Sequence, residues 1–362
     1  LTSMHILKIA LLGFLSIHLF LNSPAMGSQE SELKTVLILY SLSYAYPAVV
    51  GWDQSIRSVF MTQQDINIKV NTEHLDLSRY NDSDYIQMMV DIFRHKYLES
   101  KPDLIIAVFE PALDFVLKFK QELFPDVPII FGGIERLSFD ITDLDPNIKG
   151  VYQEGTTYAR TLELALNLHP DTRHVVVIAG TGFLEQAWLR SARNMFQKHV
   201  DRLKFTYMTD LPLSEIQNNV AKLPANSVVM YLPVLEDATE KAYVAVDALS
   251  QISEASSVPI YSFYDVVVGH GTVGGYVRSF AVQGETAAEL GLRILRGIPS
   301  ADIRVIQNKD LGYMFDWRQL KRWSIAEDRL PPGSIIKFKE LTIWDRYKGR
   351  IIVAIAMILL QA

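Results

Sequence analysis

The chain has 362 residues, of which 49% are hydrophobic and 21% charged, with a formal net charge of -6 and no cysteine. This length exceeds what one compact domain needs, so we expect two lobes with a cleft between them. The ordinary balance of apolar and charged residues excludes a disordered chain. The lack of a clustered basic run excludes nucleic acid as a partner, because phosphate binding draws on grouped Lys and Arg.

The first 27 residues have the pattern of a secretory signal peptide. The apolar stretch 5–22 has a weakly basic start that contains Lys8, and Ala25 and Gly27 supply the small residues of a cleavage site. An uncleaved N-terminal anchor is the alternative, and both imply export. The absence of cysteine excludes disulfides and a lipid-modified N-terminal cysteine. We therefore expect a location in the periplasm of a Gram-negative bacterium.

Two series of apolar, β-rich runs alternate with segments of helical period, which is typical of parallel sheets covered by helices on both faces. The first series, which predicts one α/β lobe, comprises 35–40, 66–70, 103–109 and 127–131. The second series predicts another such lobe and comprises 174–179, 203–207, 227–232, 258–263 and 272–277. The fold class is thus α/β, with two Rossmann-like lobes joined by a hinge.

Helical stripes and a polar stretch set the predicted domain boundaries. Apolar residues recur at helical spacing over 158–166 and 287–295, and Pro170 and Gly297 follow those two helices. The polar stretch 141–153 falls between the two series, so we place a crossing between the lobes there, and a second near 308–315. The predicted parts are lobe 1 (34–148), lobe 2 (149–310) and a return to lobe 1 with a juxtamembrane segment (311–343).

The C-terminal end predicts the start of a transmembrane helix over 344–362. Trp344, Tyr347 and basic residues form a belt before the uniformly apolar run 351–360. A bilayer span takes roughly 20 residues, so the predicted span is incomplete within this sequence. A terminal helix packed on the domain is the alternative. Lys348 and Arg350 argue against a transmembrane helix here. Both would lie on the external side, whereas basic residues next to a span usually lie on the cytoplasmic side.

Three segments resemble a known family. Residues 101–130, 149–179 and 258–305 are similar, in order and spacing, to ABC-transporter substrate-binding proteins of the TrpX-like group, which implies a periplasmic binding protein type I fold over about residues 34–310. The segments 315–323 (FDWRQLKRW), 329–333 (RLPPG) and 341–347 (LTIWDRY) resemble instead the juxtamembrane end of such domains when fused to bacterial sensor histidine kinases.

Ligands of open parallel sheets bind outside the carboxyl ends of the strands, where helix N-termini point toward the cleft. Hydroxyl and N–H groups there would hold a carboxylate, aromatic rings would enclose a planar group, and Asp265 or Glu110 would anchor an amine. Taken alone, each such residue is equally well explained as a helix cap or a turn. The predicted ligand-binding residues are Ser41, Ser43, Tyr44, Tyr46, Glu110, Pro111, Gly133, Ile134, Gly180, Thr181, Gly182, Phe183, Pro233, Tyr264 and Asp265.

Motifs for catalysis, metals and cofactors are weak. Residues 269–274 match G-x-G-x-x-G, but a strand-like run follows where a dinucleotide site needs a helix. His169 and His174 flank a turn and are too far apart for one helical face. The sequence also lacks a nucleophile elbow and a zinc-protease motif. We therefore expect no catalytic residue in this segment, no metal and no cofactor.

Three functions follow as hypotheses. The first is an extracytoplasmic sensor for a small molecule, anchored to the inner membrane and coupled by lobe closure to a cytoplasmic signalling module such as a histidine kinase. A homodimer would be expected in that case, and the intact protein would be a kinase. The alternative is a binding protein that delivers an amino-acid-like or aromatic molecule to an ABC permease. An enzyme on the same frame is the least favoured hypothesis.

Overall fold

The computed structural model describes residues 32–77, 79–136 and 144–340, and it has the predicted two-lobed α/β architecture. The strands in chain order are β1 (Leu33–Tyr40), β2 (Asn67–His74), β3 (Leu104–Val108), β4 (Ile129–Glu135), β5 (Ile148–Gln153), β6 (His174–Ile178), β7 (Lys204–Met208), β8 (Ser227–Tyr231), β9 (Ile260–Ser262), β10 (Gly274–Val277), β11 (Ile306–Gln307), β12 (Gly312–Asp316) and β13 (Ile335–Lys337). The α-helices are α1 (Pro47–Met61), α2 (Ser83–Tyr97), α3 (Glu110–Leu123), α4 (Thr156–Leu168), α5 (Phe183–Phe196), α6 (Leu213–Val220), α7 (Ala245–Ala255), α8 (Phe280–Leu295) and α9 (Trp317–Arg322).

Lobe 1 is built on a parallel sheet with the strand order β11-β5-β4-β3-β1-β2. Successive residues of β1 point to opposite faces, so both faces need apolar cover. Leu37 and Leu39 pack with α2 and α3, whereas Val36 and Ile38 belong to the core that includes Trp52 of α1. This burial on both faces explains why the lobe 1 strands are continuous apolar runs.

Lobe 2 is built on a second sheet with the strand order β13-β12-β10-β9-β8-β6-β7. All neighbouring strands are parallel except β10 and β12, which run antiparallel. Gly274 begins β10 rather than a helix, so the G-x-G-x-x-G run does not form a dinucleotide loop, as predicted. Each of the nine predicted strands overlaps an observed one.

The chain crosses between the lobes three times, and these positions correct the predicted boundaries. β5 belongs to the lobe 1 sheet, so the first crossing lies at 154–155 and not within 141–153. A second crossing at 278–279, which the sequence analysis missed, leads from β10 into α8, and α8 packs on α1 of lobe 1. The third crossing at 308–311 returns the chain to lobe 2, so residues 280–307 belong to lobe 1 and 312–337 belong to lobe 2.

β5 was mistaken for a linker because of its glycine. A Cβ atom at Gly150 would overlap the carbonyl oxygen and ring of Phe131 in β4, so glycine allows the two strands to approach. The final strands were missed because 315–323 was taken as a juxtamembrane segment. In the structure Asp316 ends β12 and caps α9 by accepting a hydrogen bond from the backbone N–H of Arg318.

The predicted signal peptide (1–27) and transmembrane segment (344–362) lie outside the described residues, as do positions 341–343 of the predicted juxtamembrane segment. Within the described part of the chain, every helix is too short or too polar to span a bilayer.

Candidate ligand-binding site between the lobes

A small cavity of about 30 Å³ lies between the two lobes, and we call it the inner cavity. Its walls are apolar side chains from the carboxyl ends of strands and the first turns of helices, as the topology of open parallel sheets requires. Lobe 1 contributes Leu42, Tyr46, Pro47, Ala48 and Phe280 to this wall. Lobe 2 contributes Trp188, Pro233, Leu235, Ala245, Val246, Tyr264, Val266 and Val267.

Aromatic rings form the centre of the inner cavity wall. The Tyr264 ring lies parallel to that of Phe280, with centroids 5.4 Å apart, and Trp188 lies 6.0 Å from Tyr264. Phe280 also meets Phe109 edge to face at 5.9 Å. Offset and edge contacts of this kind suit aromatic side chains and would equally suit a planar ligand group.

A second cavity of about 190 Å³, the mouth cavity, adjoins the first through Tyr46, which lines both. Its wall includes Ser43 and Arg79 of lobe 1 and Tyr243 of lobe 2. Arg79 donates hydrogen bonds from Nε and Nη2 to the Asp76 carboxylate. The third guanidinium nitrogen, Nη1, takes no part in these two bonds. A guanidinium at the mouth of an aromatic cavity provides a partner for a carboxylate or phosphate.

The lobe 2 wall is held by the buried carboxylate of Glu185. Its Oε1 accepts hydrogen bonds from the backbone N–H groups of Leu235, at 2.9 Å, and Glu236, at 3.1 Å. Burial raises the pKa of Glu185 to about 7, although these two N–H groups oppose the rise. A Cβ atom at Gly180 or Gly182 would overlap this carboxylate, so both glycines make room for it.

Behind the inner cavity, a buried group of charged and hydroxyl side chains joins the lobes, and we call it the hinge cluster: Glu135, Thr157, Tyr158 and Arg278. Arg278 donates to Oε1 of Glu135 and to the Thr157 hydroxyl. The Tyr158 hydroxyl donates to the same Glu135 oxygen at 3.1 Å. Tyr158 also lies 3.3 Å, hydroxyl to hydroxyl, from Tyr264, so the hinge cluster contacts the wall of the inner cavity.

The structure brings some of the predicted site residues together. Tyr46, Pro233 and Tyr264 line the inner cavity, and Ser43 lines the mouth cavity. Ser41 is fully buried beside Leu42, with a hydroxyl that has no partner among the described residues.

Other predicted residues lie apart from the inner cavity or support its wall. Pro111 and Phe183 both line an outer groove of about 210 Å³. Gly180 and Gly182 contact Glu185, and the Thr181 N–H donates to the Glu236 carbonyl at 3.0 Å.

The remaining predicted residues lie in the lobe 1 core, at a helix start or at the surface, and line neither cavity. Ile134 is buried in the lobe 1 core, and Gly133 has a φ of 73° and packs against Phe109. Tyr44 is 55% exposed and meets His74 edge to face. Glu110 begins α3 and lines neither cavity.

Asp265 lies at the N-terminus of α8. Burial raises the pKa of Asp265, while hydrogen bonds from the Ser279 hydroxyl and the Phe280 N–H oppose the rise. Asp265 does not line the inner cavity, although its neighbours Tyr264 and Val266 do, and its Oδ1 has no hydrogen-bond partner among the described residues.

Sequence reasoning missed Trp188, Phe280, Arg79 and Glu185. Trp188 and Phe280 lie on helical faces that read as ordinary core. Arg79 stands in a polar loop with no motif around it. Glu185 occupies the first turn of α5, where an acidic residue is common for helix stability, so its position carries no sign of function.

The fold is that of the two-lobed periplasmic binding proteins of type I. The model of the family "ABC transporter substrate binding protein" matches residues 61–328, and the chain belongs to this family. It is accordingly a substrate-binding domain for a small ligand and is not itself an enzyme. A search of curated proteins finds no match.

Solved structures with the same fold include an ABC domain from Streptococcus pneumonia in complex with L-Trp, with a TM-score of 0.61 and 14% identity over 84% of this chain and 99% of that chain. A conserved domain protein from Vibrio cholerae has a TM-score of 0.61 and 16% identity over 84% and 99%. The ligand-free, open structure of CD0873, a substrate binding protein from Clostridium difficile, has a TM-score of 0.59 and 15% identity over 85% and 100%.

Proposed function

We propose that this protein binds a small aromatic carboxylate, of the amino-acid kind, between its lobes. The observation that carries the proposal is the aromatic inner cavity joined through Tyr46 to a mouth cavity that holds Arg79. An aromatic group would lie against Trp188, Tyr264 and Phe280, and its carboxylate would face the guanidinium. The structural neighbour solved with L-Trp supports this ligand class.

The size of the inner cavity implies that the lobes separate before the ligand enters. Pockets for small ligands occupy roughly 300–1,000 Å³, about tenfold more than the inner cavity. The three crossing segments supply the hinge for such a separation. Closure around the ligand would then replace contacts between the two walls with contacts between each wall and the ligand.

Titration of the protein with L-tryptophan, L-phenylalanine and L-leucine, followed by calorimetry and by thermal unfolding, tests this proposal. We expect the two aromatic amino acids to bind and to raise the unfolding temperature, and L-leucine to bind more weakly. Arg79→Met should weaken binding of L-tryptophan about tenfold or more, because a charge-assisted contact is lost.

The matched control is Arg94→Met. Arg94 is also a lobe 1 arginine in surface ion pairs, with Asp91 and Glu122, but it lies away from both cavities. Equal binding of L-tryptophan by the Arg79 variant and the wild type would reject the carboxylate assignment. No binding of any aromatic carboxylate would reject the ligand class.

We further propose that the binding domain is periplasmic, anchored to the inner membrane, and acts as the sensor of a signalling protein. The support is mechanical, because the segment after β12 is fastened to lobe 2. Arg322 donates to the carbonyls of Ser253 and Ser256, and Arg329 donates to that of Leu168. The segment that holds Arg322 and Arg329 would therefore move with lobe 2 when the lobes close.

Delivery of the ligand to an ABC permease is the second candidate, favoured by the family itself. Sequencing the reading frame beyond codon 362 separates the two. Continuation through an apolar span into a cytoplasmic module such as a histidine kinase would support the sensor, for which a homodimer is expected. A stop codon directly after codon 362 would leave delivery to a permease.

A further inference from the structure

Three buried polar side chains stand at the three crossings between the lobes. Gln153 ends β5 before the first crossing, Arg278 lies in the second, and Asn308 begins the third. They are 4%, 3% and 7% exposed, so water scarcely reaches them in this arrangement of the lobes. Each crossing thus carries a polar group that the protein itself must satisfy.

The strand register places these side chains beside one another. Gln153 is paired with Glu135 across β4 and β5. Asn308 follows Gln307, which is paired with Tyr152, and its N–H donates to the Tyr152 carbonyl at 2.9 Å. Because paired residues of parallel strands point to the same face, Glu135, Gln153 and Asn308 form a row across the end of the lobe 1 sheet. Arg278 reaches this row through Glu135.

Four side-chain atoms of Gln153, Arg278 and Asn308 have no hydrogen-bond partner among the described residues. They are Gln153 Oε1, Gln153 Nε2, Arg278 Nε and Asn308 Oδ1. Two of them are donors and two are acceptors, so the set is balanced and could pair within itself after a small displacement. Buried polar atoms without partners are rare and costly in folded proteins. The cavity between the lobes measures only about 30 Å³, so the lobes lie close together and this cost belongs to their close arrangement.

We propose that Gln153, Asn308 and Arg278 form a switch that favours separated lobes in the absence of ligand. Rotation at the crossings lets the four atoms form hydrogen bonds with one another or with water. The free energy gained from these bonds favours the open form and so opposes closure. Ligand binding must then supply the free-energy difference between the closed and open forms. The ligand-free protein is therefore mainly open and closes only when ligand is bound. The inference concerns the hinge alone and does not depend on which ligand binds.

The test measures the lobe separation directly in the full chain without ligand. The chain has no cysteine, so Ser83→Cys in lobe 1 and Lys241→Cys in lobe 2 give two unique sites for spin labels. Both positions are exposed. Ser83 begins α2 of lobe 1, and Lys241 precedes Ala242, which lines the mouth cavity. Double electron–electron resonance then reports the fractions of closed and open protein from the distance distribution.

We expect the labelled protein to be mainly open. Gln153→Met with Asn308→Leu removes three of the four unpaired atoms at nearly constant volume, and the ratio of closed to open protein should rise about tenfold or more. If the double variant fails to unfold cooperatively, Gln153→Met alone should give a smaller shift in the same direction.

The control is Gln251→Met, an exposed glutamine of α7 that lies outside the crossings, and it should leave the ratio unchanged. A distance distribution of the folded variants equal to that of the labelled protein would overturn the proposal. A shift toward the open form would also overturn it, as would a labelled protein found only in the closed form without ligand. These outcomes need no ligand, so they are independent of the tests of the ligand class.

Discussion

The inner cavity wall and the hinge cluster are both buried between the lobes, yet they have opposite chemistry. The wall consists of apolar and aromatic side chains whose contacts are non-directional, and a ligand of suitable shape can replace them. The hinge cluster consists of an ion pair and hydroxyls whose bonds fix particular atoms to one another. On the proposed function, the wall would select the ligand, whereas the directional bonds of the hinge cluster would set the orientation of the lobes.

The largest effect should come from breaking the ion pair of the hinge cluster. The Arg278 and Glu135 side chains are 3% and 4% exposed. Arg278→Met leaves the Glu135 carboxylate buried without its cation, and loss of one partner of a buried pair costs about 3–5 kcal/mol. Guanidinium unfolding should show a free energy of unfolding reduced by that amount.

The same substitution at a surface ion pair is the control for this prediction. Arg94 and Glu122 are 44% and 45% exposed. Arg94→Met should therefore cost less than about 1 kcal/mol. If the two variants lose equal stability, the hinge cluster has no special structural role.

The next effect concerns the support of the wall and depends on pH. In the folded protein the pKa of Glu185 is raised to about 7, above the ordinary value of 4.5. Because the folded state binds this proton more tightly than the unfolded chain, the contribution of Glu185 lowers stability as pH rises from 4.5 through 7. The full change is about 3 kcal/mol.

Glu185→Gln keeps an oxygen that can accept from the Leu235 and Glu236 N–H groups but removes the titration. Between pH 5 and pH 8 the variant should gain stability relative to the wild type, and the gain should grow with pH. Urea unfolding at several pH values measures this difference. A difference that stays constant across the range would mean that Glu185 does not titrate there.

The smallest effect tests Tyr264, a residue of the inner cavity wall that also contacts the hinge cluster. Tyr264 lines the inner cavity with its ring and reaches Tyr158 of the hinge cluster with its hydroxyl, at 3.3 Å. Tyr264→Phe removes only the hydroxyl, so we expect a loss of about 1 kcal/mol in stability. Binding of L-tryptophan should remain unchanged in calorimetry, because the ring is retained. A large loss of binding would mean that the hydroxyl contacts the ligand.

Most of the fold could be predicted from the sequence because the strands are buried on both faces. Runs such as 103–109 and 174–179 carry apolar residues without polar alternation, and that pattern alone indicates parallel strands under two layers of helix. The strands that escaped prediction are short or lie near sheet edges. β5 contains Gly150, which signals a turn in the sequence and allows close strand packing in the structure.

The candidate site was predicted only in part. The rule that ligands bind at the carboxyl ends of strands selected Tyr46, Pro233 and Tyr264, which line the inner cavity in the structure. It could not select Trp188 or Phe280, because a helical face shows no sign of whether its neighbour is the core or the other lobe. It also selected Asp265, whose carboxylate lies at the start of α8.

The sequence by itself determined the two α/β lobes, the family resemblance and the edge of each sheet at which the candidate site lies. These features depend on local periodicity and on strand ends, which involve residues close to one another in the sequence. Only the tertiary structure decided the three crossings, the assignment of 280–307 to lobe 1, and the meeting of Glu135 with Arg278. Those features join residues more than a hundred positions apart, and packing alone brings such residues together.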